Sequence, residues 1–146
     1  MIAVDTNLLV YAHRPESPFH VAAAACLESL ANGSGAWAIP WPCVHEFYSV
    51  VSNPRIFNTP TPFDVAVQAI DAWLASPTLH LLHESASHWQ LLGELIRASR
   101  VVGPRIHDAR IAVICLDNGV RELWSADHDF GRFPRLAVRN PLVDAR

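Results

Sequence analysis

Apolar and polar positions alternate in blocks that change period along the chain. Ile2–Val4 is a short apolar run that ends at Asp5, and the Asp-Thr-Asn that follows predicts a buried strand running into a polar loop. From Pro18 to Ala31 the apolar residues Val21, Ala24, Ala25, Leu27 and Leu30 recur at helical spacing, and the glycines within Asn32–Gly35 stop that helix. Ala36–Ile39 predicts a second strand. Pro40 and Pro42 then break the chain, and Val44–Ser52 resumes with helical character. The proline-bearing stretch Asn53–Pro62 predicts a surface loop. Phe63–Ala75 predicts a helix, Leu79–Leu82 a third strand, and Ser87–Arg100 a helix with Trp89, Leu92, Leu95 and Ile96 on one face. After the Gly103–Pro104 break comes a helix over Ile106–Asp117, stopped by Asn118–Gly119. Glu122–Ser125 is expected to be a fourth strand and Leu136–Val138 a fifth.

Short strands alternating with helices of about ten residues or more predict an α/β fold with a central, mainly parallel sheet flanked by helices. No internal repeat or linker interrupts the chain, and its 146 residues are expected to form one domain spanning 1–146. Hydrophobic residues make up 51% and charged residues 17%, which argues against intrinsic disorder. No apolar run approaches the length of about 20 residues that crosses a bilayer. The opening MIAVDTNLLV lacks a basic stretch and is interrupted by Asp5, so no export signal is expected; the expected location is the cytoplasm, with no membrane partner.

The formal net charge of −3 gives no prior for a broad, charge-driven grip on nucleic acid, although it allows a local basic rim. All 11 basic residues are arginine. The absence of lysine excludes Schiff-base chemistry, a Walker A loop and a receiver-type lysine. Cys26, Cys43 and Cys115 form no CxxC pair and are expected to be buried free thiols.

The placement of carboxylates is more informative. Asp5 follows the first strand, and Asp127 and Asp129 follow the fourth, beyond the carboxyl ends where parallel sheets bind ligands. Asp108 stands at the start of one helix, and Glu46 lies early in another. If the first and fourth strands are neighbours, Asp5 and Asp127 converge, and the two helix starts lie along the same edge. Converging carboxylates repel one another unless a proton or a cation intervenes, and a hard divalent cation is the natural counter-ion. Taken singly, each acid has a plainer explanation. Asp5 and Asp127 would serve as turn or helix caps, Asp108 would favour a helix dipole, Glu46 would be a solvated helix residue, and Asp129 would cap a short terminal helix. One shared site accounts for all of them together.

Four motifs in order then resemble a known family. Val4-Asp5-Thr6-Asn7-Leu8-Leu9, His45-Glu46-Phe47, His107-Asp108-Ala109-Arg110 and Ser125-Ala126-Asp127-His128-Asp129-Phe130 are similar to the motifs of PIN-domain ribonucleases. The likeness is closest to the VapC toxins of bacterial type II toxin–antitoxin pairs. The resemblance covers nearly the whole chain. It implies a PIN-like three-layer fold and a magnesium-dependent endoribonuclease, with manganese as an alternative ion. It also implies a VapB-like antitoxin partner, an RNA substrate and a homodimer. By position, Asp5 and Asp108 are then the principal metal ligands, with Asp127 and Glu46 completing the set. Hydroxyl or amide groups of Thr6, Asn7 and Ser125 would orient the carboxylates, and Asp129 is left open between ligand and cap.

Rival readings are weaker. His45-Glu46 lacks the second histidine of a HExxH motif, since position 49 is serine. His80, His83 and His88 straddle a strand, a turn and a helix, which disfavours a shared metal. A receiver-like domain or phosphatase lacks its lysine and its DxDxT motif. A catalytically silent PIN-like module that binds RNA or protein is the main alternative, and the intact acid set argues against it. Arg14, Arg105 and Arg110 flank the acidic motifs and are candidates for steering RNA, against the competing reading of ordinary solvated arginines. His107 is a candidate phosphate contact or a structural hydrogen-bonding residue. The tryptophans are expected in the core or at an interface.

Overall fold

The computed structural model describes residues 1–143. Five parallel strands form one sheet in the order β3-β2-β1-β4-β5: β1 is Ile2–Val4, β2 Trp37–Pro40, β3 Leu79–Leu82, β4 Glu122–Trp124 and β5 Val138–Arg139. Six α-helices flank it: α1 Thr6–His13, α2 His20–Asn32, α3 Trp41–Val51, α4 Phe63–Leu74, α5 His88–Ser99 and α6 Ile106–Asp117. The central strands are buried on both faces, as parallel strands covered by helices must be, and so they read as unbroken apolar runs. Ala3, Val4, Ala38, Ile39 and Leu123 are fully enclosed, and α6 contributes Ala109, Ile111, Ala112, Val113, Ile114 and Cys115 to the same core.

The strand order reverses between β1 and β4. From β1 the chain moves outward to β2 and β3, then returns past β1 to lay down β4 and β5 on the other side. Such a reversal opens a crevice at the carboxyl ends of the two central strands, the usual ligand position in an open α/β sheet. Register places Val4 opposite Trp124, so Asp5 and Ser125 leave the sheet side by side.

Three expectations need correction. Asp5-Thr6-Asn7 is not a loop: α1 starts at Thr6, capped by Asp5, and buries Leu8, Leu9 and Val10. The strand and helix abut without a connecting turn, so a polar tripeptide that looks like a loop is a helix start. Second, Pro42 does not break the chain. It lies in the first turn of α3, where a missing N–H costs nothing, and the helix begins at Trp41. Third, the last strand is Val138–Arg139, later than Leu136–Val138; Leu136 is a buried core residue that precedes the strand. Cys43 and Cys115 are buried thiols as expected, whereas Cys26 is only half-buried. Trp37 lies in the core, Trp41, Trp73 and Trp124 are half-buried, and Trp89 stands 73% exposed. No helix among the described residues is long and apolar enough to cross a membrane.

Candidate metal centre

Asp5 is the anchor of the crevice. Its backbone ends β1 and its side chain caps α1, with Oδ1 accepting from the Thr6 N–H at 2.8 Å. Oδ2 accepts from the Ser125 hydroxyl at 2.7 Å and from Asn7 Nδ2 at 3.4 Å. The Cys43 thiol points its Sγ at Oδ1 from 3.6 Å. Burial and the negative charge of Asp5 push this thiol well above its ordinary pKa, so it stays protonated and able to donate. The helix-cap explanation of Asp5 is therefore correct, and it coexists with a place in the crevice.

Ser125 and Asn7 form the brace between the two central strands. Asn7 Nδ2 also reaches Ser125 Oγ at 3.3 Å, while Asn7 Oδ1 accepts from the Ala126 N–H at 3.1 Å. Ser125 Oγ accepts in turn from the Asp127 N–H at 3.0 Å, which sets the backbone after β4. Thr6 plays a different part from that expected of its hydroxyl. Its backbone N–H holds Asp5, while among the described residues its buried Oγ1 hydrogen-bonds no carboxylate.

Asp5, Glu46, Asp108 and Asp127 all line one cleft of about 230 Å³, together with Thr6, Asn7, Val10, Tyr11 and Val50. Asp108 comes from the first turn of α6, and Glu46 from the middle of α3. Asp127 caps a short 3-10 helix, His128–Arg132, accepting from the Asp129 N–H at 2.8 Å. Carboxylate oxygens of Asp108, Asp127 and Asp129 lie within 4.8 Å of one another. Asp129 is not a cap. It is ion-paired with Arg105, whose guanidinium holds the Asp129 carboxyl below the usual range.

The electrostatics show unbalanced negative charge. Burial raises the Asp5 carboxyl to about 6, with the Glu46 charge adding to the rise against the Ser125 and Thr6 hydrogen bonds. Asp108 is raised by burial and then by Asp127, Asp129 and Glu46, only partly offset by Arg105. A donor set made of carboxylate oxygens, with Asp5 and Asp108 pushed towards protonation by burial and by neighbouring carboxylates, fits a hard divalent cation such as Mg²⁺ or Mn²⁺.

The flanking arginines divide. Arg105 sits at the acidic edge through Asp129. Arg14 turns away, donating to Thr61 Oγ1 and to the Thr59 carbonyl and pairing with Glu16, so it lines a separate cavity beside the 53–62 loop. Arg110 pairs with Glu84. Sequence reasoning missed Cys43, Val10, Tyr11 and Val50. For Cys43 a signal existed, since it stands three positions before Glu46 and shares its helix face.

Comparison with known proteins agrees with this architecture. The PIN domain family profile matches residues 2–136. Ribonuclease VapC43 of Mycobacterium tuberculosis is 39% identical over 142 residues, covering 97% of this chain and 96% of that protein. Among solved structures, VapBC2 of Rickettsia felis, bound to a DNA fragment from its promoter, superposes with a TM-score of 0.70 at 23% identity, covering 95% of this chain and 98% of that one. VapC20 of Mycobacterium tuberculosis, described as a sarcin-ricin loop cleaving toxin, superposes with a TM-score of 0.65 at 19% identity, over 90% of this chain and 93% of that one. With a family profile spanning four of the five strands and all four acidic positions, and with that identity to a VapC ribonuclease, the chain belongs to the PIN domain family.

Proposed function

We propose that this chain is a metal-dependent endoribonuclease and acts as the toxin of a type II toxin–antitoxin pair. The observation that carries the reading is the convergence of Asp5, Glu46, Asp108 and Asp127 on one cleft at the strand-order reversal. Asp5 and Asp108 are assigned as the principal ligands of Mg²⁺ or Mn²⁺, with Asp127 and Glu46 completing the shell; Asp108 and Asp127 already lie close together, whereas Asp5 and Glu46 line the same cleft outside that close group. A divalent ion held there supplies positive charge for a phosphate oxygen and acidifies water near the scissile bond.

The chain's own groups do the rest. Ser125 Oγ, Asn7 Nδ2 and the Thr6 N–H aim the Asp5 oxygens and keep the carboxylate ionised against its burial. A cleft carboxylate takes the proton of the attacking water as its oxygen bonds to phosphorus and the opposite P–O bond breaks. Arg105 pairs with Asp129 at the rim, where that carboxylate lies beside Asp108 and Asp127.

The VapC-type relatives support a VapB-like antitoxin as partner and an RNA substrate. The exposed apolar side chains Phe63 and Val67 on α4 and Trp89 on α5 support a homodimer that covers some of them. The deciding experiment incubates the purified chain with RNA in EDTA and after back-addition of Mg²⁺. Cleavage restored by Mg²⁺ and absent in Asp108→Asn is the expected result. RNA bound but left intact under all conditions would favour the silent binding module instead.

A further inference from the structure

A second cavity, of about 290 Å³, adjoins the acidic cleft and shares Glu46 with it. Glu46 apart, its lining offers hydrogen-bond donors in place of carboxylates. His45 and Ser49 come from one face of α3 at i and i+4, while His107, Arg110 and Ile111 come from one face of α6 at i, i+3 and i+4. Pro42 also lines it. His45, Ser49 and His107 are exposed, and each can donate a hydrogen bond. The His45 ring is steadied against Trp41, with ring centroids 6.0 Å apart and planes inclined by 29°. Arg110 is steadied by Glu84, which accepts from Nε at 2.6 Å and pairs with Nη2. Both contacts are to one carboxylate oxygen, so the guanidinium fork keeps further N–H donors for a ligand.

We propose that this cavity grips a backbone phosphate of the RNA flanking the scissile one, with His45, His107 and Arg110 as the positioning residues. The inference rests on the RNA-cleavage reading and extends it to how the strand is held. A polyanion approaching a cleft of four carboxylates needs cationic or donor groups close to the cut. Arg14 faces the 59–61 loop and Arg105 the Asp129 edge, so of the arginines flanking the acidic motifs Arg110 is the one that lines the Glu46 side. The lining argues for a phosphate ahead of a base, because Arg110 and the imidazoles of two helices converge there and the His45 ring already stacks on Trp41. A second metal does not fit: among the described residues, only Asp108, Asp127 and Asp129 bring three potential ligands close enough for one ion. Since phosphate contacts set register without reading bases, the cavity fixes where the strand lies and leaves sequence choice to other surfaces.

The test measures fluorescence anisotropy of a fluorescein-labelled single-stranded RNA pool of random sequence, titrated with the full chain in EDTA at several salt concentrations. His45→Ala with His107→Ala, and separately Arg110→Ala, should each weaken binding by about tenfold at low salt. Arg110→Ala should also reduce the slope of log affinity against log salt by about 0.7, the value for one phosphate on a single strand, and Arg110→Lys should restore it. In Mg²⁺ the double histidine variant should raise KM with kcat little changed, which a structural defect would not do. Glu84 loses its partner in Arg110→Ala, so if that variant fails to fold, the exposed histidine pair decides the matter. If the parent cleaves RNA and all these variants bind with parental affinity and slope, the subsite is wrong while the nuclease reading stands. A parent that neither binds nor cleaves RNA overturns both.

Discussion

Ser125 and Asp5 stand 120 positions apart in sequence, and the serine hydroxyl donates to Asp5 Oδ2 at 2.7 Å. Parallel pairing of β1 with β4 makes this contact, because Val4 and Trp124 are in register and the next residue of each strand emerges at the same edge. The bond favours the ionised form of a carboxylate that burial otherwise drives towards the neutral acid.

Ser125→Ala should therefore raise the Asp5 carboxyl further above its present value of about 6. The acidic limb of the cleavage pH profile should move to higher pH, and activity at neutral pH should fall by about tenfold, the scale of one charge-assisted hydrogen bond. Ser125→Thr keeps the hydroxyl and should keep most of the activity. A pH–rate profile of both variants checks this, and superimposable curves for parent and alanine variant would contradict the brace.

Asp5→Asn and Asp108→Asn remove charge while keeping shape. Each should lower cleavage by at least about 100-fold, in line with losing part of a metal's electrostatic stabilisation. Circular dichroism should stay native, because removing one carboxylate relieves repulsion. Asp129→Asn should cost far less, since Arg105 already neutralises that group at the rim. Equal losses at positions 5, 108 and 129 would count against this division of roles.

Stability without metal should fall as pH rises through the window from about 4 to about 6. The folded-state pKa of Asp5 is raised from 3.8 to about 6, so the folded chain binds more protons than the unfolded one in that window. The penalty is complete above about pH 6, on the order of 3 kcal/mol, and is relieved below the unfolded value. Melting curves in EDTA should show a higher Tm at pH 5 than at pH 7.5 from this group, and Asp5→Asn should flatten the difference. Mg²⁺ at 100 times its Kd should restore about 2.7 kcal/mol at pH 7.5. A Tm insensitive to Mg²⁺ would be evidence against a metal in this cleft.

Association should show in light scattering. The chain has a mass of 16.1 kDa, and Phe63, at 73% exposed, is one of several bare apolar side chains on α4. A species of about 32 kDa is expected at micromolar concentration. A monomer there would leave that surface for a different partner.

Inhibition by the antitoxin should be electrostatic at its centre. An arginine or lysine of the partner, seated among Asp5, Glu46, Asp108 and Asp127, would supply positive charge without the metal's chemistry. Replacing that cation by alanine should weaken inhibition, and excess Mg²⁺ should compete with it. A complex that forms yet still cleaves RNA at full rate would disprove the blocking arrangement.

Much of this was legible in the sequence for a local reason. Period and punctuation depend on near neighbours, so the α6 boundaries at Ile106 and Asp117, the strand Leu79–Leu82 and the stops at Asn32–Gly35 could be read directly. The acids at 5, 46, 108 and 127 could also be picked out, because each follows a strand end or opens or occupies a helix that borders the same sheet edge. Tertiary structure alone decided the rest. Whether Asp5 meets Asp127 depended on β4 returning beside β1, a choice made by the packing of the helices over the sheet. Arg105 chose Asp129 while Arg14 went to the 59–61 loop, since an ion pair needs proximity in space and no spacing rule supplies it. Cys43, which composition marked only as a buried thiol, became a donor to Asp5 because α3 lays it against the end of β1. Asp5-Thr6-Asn7 read as a loop because the helix begins on the very aspartate that ends the strand, and only the closed hydrogen bond from Thr6 to Asp5 separates a cap from a turn.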